Sequence, residues 1–215
     1  MKSDSQPNRS NCSAVILAGG LNSRMGGRNK AFLDLGPATI IERILATLQP
    51  LFAEIMIVTR DPGLYAGQPC RIVEDVIAVR ASLTGVHAGL KHAREEYIFV
   101  VPCDVPFLKP ALVELLLDEI DTASDAIVPV YDQHYEPLCA IYSRRCIPHI
   151  ETLLAAGDLT IYHLYDHIHL KTVAASRIRR VDPGRESFFN VNTPEAYQRA
   201  LAHVQHQVPL EIIPG

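Results

Sequence analysis

Apolar residues recur along this chain in two alternating rhythms. The short run Ala14-Val15-Ile16-Leu17, rich in β-branched side chains, stops at Gly19-Gly20 and predicts a buried strand entering a turn. From Thr39 to Phe52 the period changes, and Ile40, Ile41, Ile44, Leu45 and Leu48 fall on one helical face with Thr39 as N-cap. Glu54 to Thr59 and Arg71 to Val73 predict further strands, Leu83 to Arg94 a helix, and Tyr97 to Val101 a strand that halts at Pro102-Cys103-Asp104. Pro110 to Ile120 predicts a helix opened by proline, followed by a strand from Ala126 to Val130. Beyond it the pattern predicts a strand over Leu138 to Tyr142, a helix over Arg144 to Ala156, and a strand over His169 to Ala174. Phe188 to Asn192 reads as a strand end before a last helix, Pro194 to His206, capped by Thr193.

Strands and helices therefore alternate through residue 130, the order that builds parallel βαβ units with helices on both faces of the sheet. The expectation is an α/β fold, Rossmann-like, three layers deep, with a mostly parallel central sheet. A length of 215 residues with no long linker and no internal repeat suits one domain over 13–206. The alternation is regular in its N-terminal half and less so in its C-terminal half. The polar residues 1–12 are expected to be a disordered tail, and 207–215 another.

Composition narrows the function. A net charge of −4 lacks the basic excess of a nucleic-acid binder, yet leaves room for a small anionic substrate held by a few cations. Five cysteines form no CxxC pair, and nothing resembles a secretory leader, so reduced thiols and a cytoplasmic location are expected. No apolar stretch is long enough to cross a membrane as a helix. The nearest zinc-ligand spacings are His163/His167 and His167/His169, at a polar segment where solvated histidines are the ordinary reading.

Candidate chemistry concentrates in Leu17-Ala18-Gly19-Gly20-Leu21-Asn22-Ser23-Arg24-Met25-Gly26-Gly27-Arg28-Asn29-Lys30. This segment follows a strand directly, at the carboxyl edge of the sheet where open α/β proteins bind ligands. Glycines there can take positive φ and bring backbone N–H groups to an anion. Arg24 can fork onto phosphate oxygens, and Lys30 adds a point charge. Neither GxxxxGK[ST] nor GxGxxG is present. Asp104 ends the strand YIFVV in the same crevice, either as a magnesium ligand or as the residue that opens the next turn. Glu74-Asp75 closes another strand, again a site residue or a turn.

The spacing LAGG-x3-RMG-x3-K resembles the signature loop of nucleotidyltransferases with a glycosyltransferase-A-like fold, and LAGG with RMGG most resembles the molybdenum cofactor guanylyltransferase family. Pro102-Cys103-Asp104-Val105-Pro106 and FxNVNTPE over 188–195 extend the resemblance over nearly the whole folded chain. It implies transfer of GMP from GTP to the terminal phosphate of molybdopterin, with release of pyrophosphate and magnesium as cofactor. It assigns Leu17, Ala18, Gly19, Gly20, Lys30, Asp75, Gly85 and Asp104 to the nucleotide, and Arg24, Lys30 and Asp104 to catalysis. Asp104 would hold the metal. Asn190 and Asn192 would face the acceptor, with Asn192 nearer the metal, and Glu136 would lie close by.

Two departures stand out. Thr59 occupies the second-strand end where the family usually has Asn, and Thr84 a position where Pro is common. A molybdopterin cytidylyltransferase, another phosphate-acceptor nucleotidyltransferase, or a nucleotide-binding protein without turnover are the competing readings. A labile pterin product suggests handover to other cofactor-biosynthesis proteins or to recipient molybdoenzymes.

Overall fold

The computed structural model describes residues 11–19, 29–75, 77, 79–206 and 210. Among these, numbering strands along the chain, seven run side by side in the order 10-7-9-6-1-4-5, the eighth adds to the seventh, and β2 (Asp34–Leu35) and β3 (Ala38–Thr39) form a separate hairpin. The strands of the N-terminal half are β1 (Cys12–Leu17), β4 (Ile55–Thr59), β5 (Arg71–Glu74) and β6 (Tyr97–Pro102). All four are parallel, with Leu17 opposite both Val58 and Pro102. The remainder is β7 (Ala126–Tyr131), β8 (His134–Tyr135), β9 (Ala140–Ser143) and β10 (Leu170–Ala174). Here β9 is antiparallel to both β6 and β7, while β10 is parallel to β7. The strand expected over 138–142 is therefore 140–143, and it is the one that reverses direction inside the sheet.

Alternation along the central strands sends side chains to two separate cores. Ala14, Ile16, Phe99 and Ile141 face one side, against α1 (Ile40–Leu48), α4 (Pro110–Leu117), α6 (Ala175–Val181) and α7 (Pro194–His206). Val15, Val100, Val128 and Tyr142 face the other, against α3 (Ser82–His92) and α5 (Ile147–Ala155). Three layers result, as expected of strands with both faces covered. In α1 the predicted stripe is the buried one, and Thr39 forms a capping box with Glu42. The helix stops at Leu48, ahead of Leu51 and Phe52, which the sequence pattern included.

Several expectations change. Cys12, placed in the N-terminal tail, opens β1 and is buried, because it continues the inward alternation of Ala14 and Ile16. Leu210, placed in the C-terminal tail, packs half-buried on the core beside α7. The rest of both tails, residues 1–10, 207–209 and 211–215, lies outside the described residues. The helix expected from Arg144 begins as a 3-10 turn over Arg144–Cys146. Phe188 to Asn192 is not a strand end: a 3-10 turn over Glu186–Phe188 precedes it, and its one ladder-like contact is Val191 N–H to the Asp104 carbonyl at 2.9 Å. The His-rich segment is a 3-10 helix, Ile161–His167, with His163 on Asp158, His169 on Asp125, and His167 stacked on His149. No group of three or more metal-ligating side chains occurs there or elsewhere among the described residues. Nor is any described helix long and apolar enough to cross a membrane.

Candidate active site

Parallel strands β1, β4, β5 and β6 deliver their carboxyl ends to one edge, where a cavity of about 460 Å³ opens. Its floor comes from Leu17, Ala18 and Gly19 after β1 and from Pro102, Cys103 and Asp104 after β6. Backbone ladders extend past the strand ends to hold these residues still, Ala18 N–H on the Val58 carbonyl at 2.8 Å and Cys103 N–H on the Leu17 carbonyl at 3.0 Å. Gly19 does not take the left-handed conformation expected of a loop glycine, and among the described residues a Cβ there would meet nothing within 4 Å. Its side is open to a ligand. Gly20 and Arg24, singled out in the same loop, lie outside the described residues.

Lys30 begins a 3-10 turn (Lys30–Phe32) whose N-cap, Asn29, accepts the Ala31 N–H at 3.0 Å and lies 3.0 Å from the Tyr65 hydroxyl. This cap aims the lysine across the cavity. Its Nζ donates to Asn192 Oδ1 at 2.5 Å and lies 3.7 Å from Asp104 Oδ2. Three residues far apart in sequence thus meet at one point. Asn192 arrives because Val191 is pinned to the Asp104 backbone. Asp104 is 15% exposed, and burial raises its carboxyl above the ordinary range, with Lys30 opposing the shift. Such a buried anion, held only partly by one ammonium, has affinity left for a cation. Neighbouring Cys103 is pushed up to about 12 by burial, so its thiol stays protonated.

Asp75 and Gly85 form the opposite wall, as expected, but each also has a structural task. Asp75 is buried, one carboxylate oxygen 2.9 Å from the Thr84 hydroxyl and the other accepting the Ile77 N–H at 3.2 Å. The turn reading and the cavity position hold together. A Cβ on Gly85 would stand 2.9 Å from a Leu17 methyl, so glycine lets α3 approach the floor of the site. Thr59 faces inward: its hydroxyl reaches the Ala18 carbonyl at 3.3 Å and accepts the Asp61 N–H at 3.1 Å. The side chain that lines the cavity after β4 is Arg60 instead, which donates to the Ile77 carbonyl at 2.8 Å.

Asn190 does not join this group; it is exposed and does not line the cavity. Glu136 pairs with Arg185 at 3.3 Å, and burial raises its carboxyl while Arg185 opposes. It too lies outside the cavity, whose wall on that side is Leu138. Sequence reading passed over Asn29, Arg60, Arg80 and Leu138. Arg60 was detectable, since it directly follows a parallel strand at the ligand edge.

The MobA-like NTP transferase domain family matches residues 14–173, which include both floor segments and the Asp75 wall. The chain belongs to that family. It is a nucleotidyltransferase, and its three layers are the glycosyltransferase-A-like arrangement expected. A molybdenum cofactor guanylyltransferase of Desulfosudis oleivorans is 40% identical to this MobA-like chain over 191 residues, covering 89% of it and 95% of the relative. A probable molybdenum cofactor guanylyltransferase of Pelotomaculum thermopropionicum is 37% identical, covering 86% and 90%. Among solved structures, molybdopterin-guanine dinucleotide biosynthesis protein A of Archaeoglobus fulgidus superposes with a TM-score of 0.78 at 27% identity, covering 87% of the MobA-like chain and 96% of its own.

Proposed function

We propose that the chain transfers GMP from GTP to the terminal phosphate of molybdopterin, releasing pyrophosphate and forming molybdopterin guanine dinucleotide. The observation that carries this reading is the convergence of Lys30, Asp104 and Asn192 in a cavity at the carboxyl edge, in a chain whose 40%-identical relative bears that activity in its name. Within one domain over 13–206, the β1-β4-β5 side holds the nucleotide and the β9-β7 side the acceptor. Leu17, Ala18, Gly19 and Gly20 offer backbone to the phosphates, while Asp75 and Gly85 bound the nucleoside.

The donors fit magnesium. Asp104 and the Asn192 carbonyl are hard oxygens at a phosphate-sized opening, and magnesium is ordinarily held by one or two carboxylates with phosphates and water completing the shell. When bound, it would neutralise charge on the triphosphate. Asp104 would hold it, and the Lys30 ammonium, with Arg24, would stabilise negative charge on the phosphates. The acceptor phosphate is already ionised, so attack on the α-phosphate needs no side chain to take a proton. Positioning and charge neutralisation then supply the rate. Released product would pass to other cofactor-biosynthesis proteins or recipient molybdoenzymes. We place the enzyme in the cytoplasm.

The competing reading is a cytidylyltransferase, because Thr59 stands where the guanylyl family usually has Asn and that contact to the nucleotide is missing. Thermal unfolding with magnesium and GTP, CTP, ATP or UTP separates the two. A nucleotide at about 100 times its dissociation constant adds about 2.7 kcal/mol. A shift confined to GTP is expected; a shift with CTP alone would transfer the assignment, and none at all would overturn it.

A further inference from the structure

Beyond the cavity wall at Leu138 lies an aromatic cluster that the nucleotide chemistry does not use. Tyr135, Tyr162 and Tyr165 form a triangle, with ring centroids 5.1 Å apart for Tyr135–Tyr165, 6.3 Å for Tyr135–Tyr162 and 6.2 Å for Tyr162–Tyr165. Tyr135 pairs with Val130 at the carboxyl end of β7. Since β9 is antiparallel to both neighbours, β7 runs with β6 and ends at the same edge as Asp104. The cluster is fastened to the cavity wall. Tyr165 and Tyr142 hydroxyls lie 2.9 Å apart, and Tyr142 donates at 2.8 Å to the carbonyl of Pro137, the residue before Leu138.

Two of the rings are partly buried, whereas Tyr162 is 48% exposed. A buried aromatic pair needs no third ring turned half to solvent. One with an open ring beside a substrate cavity presents a face for stacking.

We propose that this tyrosine cluster, with Tyr162 outermost, stacks on the flat heteroaromatic ring of the acceptor while the acceptor's phosphate is held beside Lys30 and Asp104. The proposal rests on the pterin-acceptor reading above and names the surface that would recognise the ring. Tyr162 is then a specificity residue that touches substrate without touching the reacting atoms.

The test uses the full chain, its Tyr162→Ala variant and its Tyr162→Phe variant, with neopterin monophosphate as the probe. The chain has no Trp, so pterin fluorescence anisotropy is read without tryptophan background. Stacking of a base on one aromatic side chain supports a loss of about 5-fold or more in affinity for Tyr162→Ala, with Tyr162→Phe binding like the parent. Equal affinity in the parent and Tyr162→Ala would overturn the proposal, as would failure of the parent to bind the probe. Thermal shift with magnesium and GTP, run on all three proteins, should be unchanged. If GTP gives no shift while the pterin still binds through Tyr162, the guanylyl reading falls and the stacking surface stands.

Discussion

At Thr84 a single hydroxyl joins α3 to the loop after β5. It is fully buried and lies 2.9 Å from Asp75 Oδ2 and 2.8 Å from the Ala81 carbonyl. A hydrogen bond to a buried charged group contributes about 1.5–3 kcal/mol. Thr84→Val, equal in shape, should lower stability by that order in chemical denaturation and weaken nucleotide binding through the freed Asp75. Gly85→Ala should separate the two effects, sparing stability while weakening nucleotide binding. The helix gains up to about 1 kcal/mol from alanine, while the new methyl pushes Leu17 into the cavity. Melting should change little and GTP affinity fall about fivefold, read by calorimetry. For Asp104→Ala, turnover should fall by about 10²–10³, the usual cost of removing one charge-stabilising group; near-normal turnover would remove Asp104 from the mechanism. Asp104 was readable because it follows a strand end, a place fixed by local pattern, and Lys30 because it closes the glycine-rich basic loop. The resemblance set Asn192 nearer the metal than Asn190, but the backbone bond from Val191 to Asp104 that brings Asn192 to Lys30 is long-range and no local pattern reports it.

At the scale of elements, Asp125 shows how strand ends are locked. Its carboxylate accepts the His169 N–H at 2.9 Å and bonds Arg145, tying the starts of β7 and β10 to the turn before α5. Burial would raise its carboxyl, but these donors together hold it below the ordinary value. A depressed folded value means stability that is present above the unfolded value of 3.8 and lost as pH falls through the folded one. Asp125→Asn should therefore cost about 2 kcal/mol at pH 7, with the deficit shrinking toward pH 3 in urea titrations. Elements with a full period were legible, α1 and β6 above all. The hairpin of β2 (Asp34–Leu35) and β3 (Ala38–Thr39), and α2 (Pro62–Tyr65), were not. Two- to four-residue elements have no period to read, and that hairpin turns on Gly36 at φ 75°.

On the scale of the whole molecule, the five cysteines are all unpaired, three of them buried. Burial raises Cys70 to about 11 and Cys103 to about 12, and Cys12, Cys139 and Cys146 are raised as well. None is a thiolate near neutrality. A thiol reagent at pH 7.5 should react with the native protein slowly and below full stoichiometry, then with all five thiols in guanidinium; five fast thiols in the native state would contradict the packing. The sheet's two-sided burial was foreseeable from apolar runs in its strands, whereas the reversal at β9 was not, since alternation cannot report strand direction. The bond between Val191 and Asp104 also ties the site to the closure of the fold. Lys30 and Asp104 belong to the first half of the chain and Asn192 to a segment that follows α6, so the corner is whole only once that segment has docked against the end of β6.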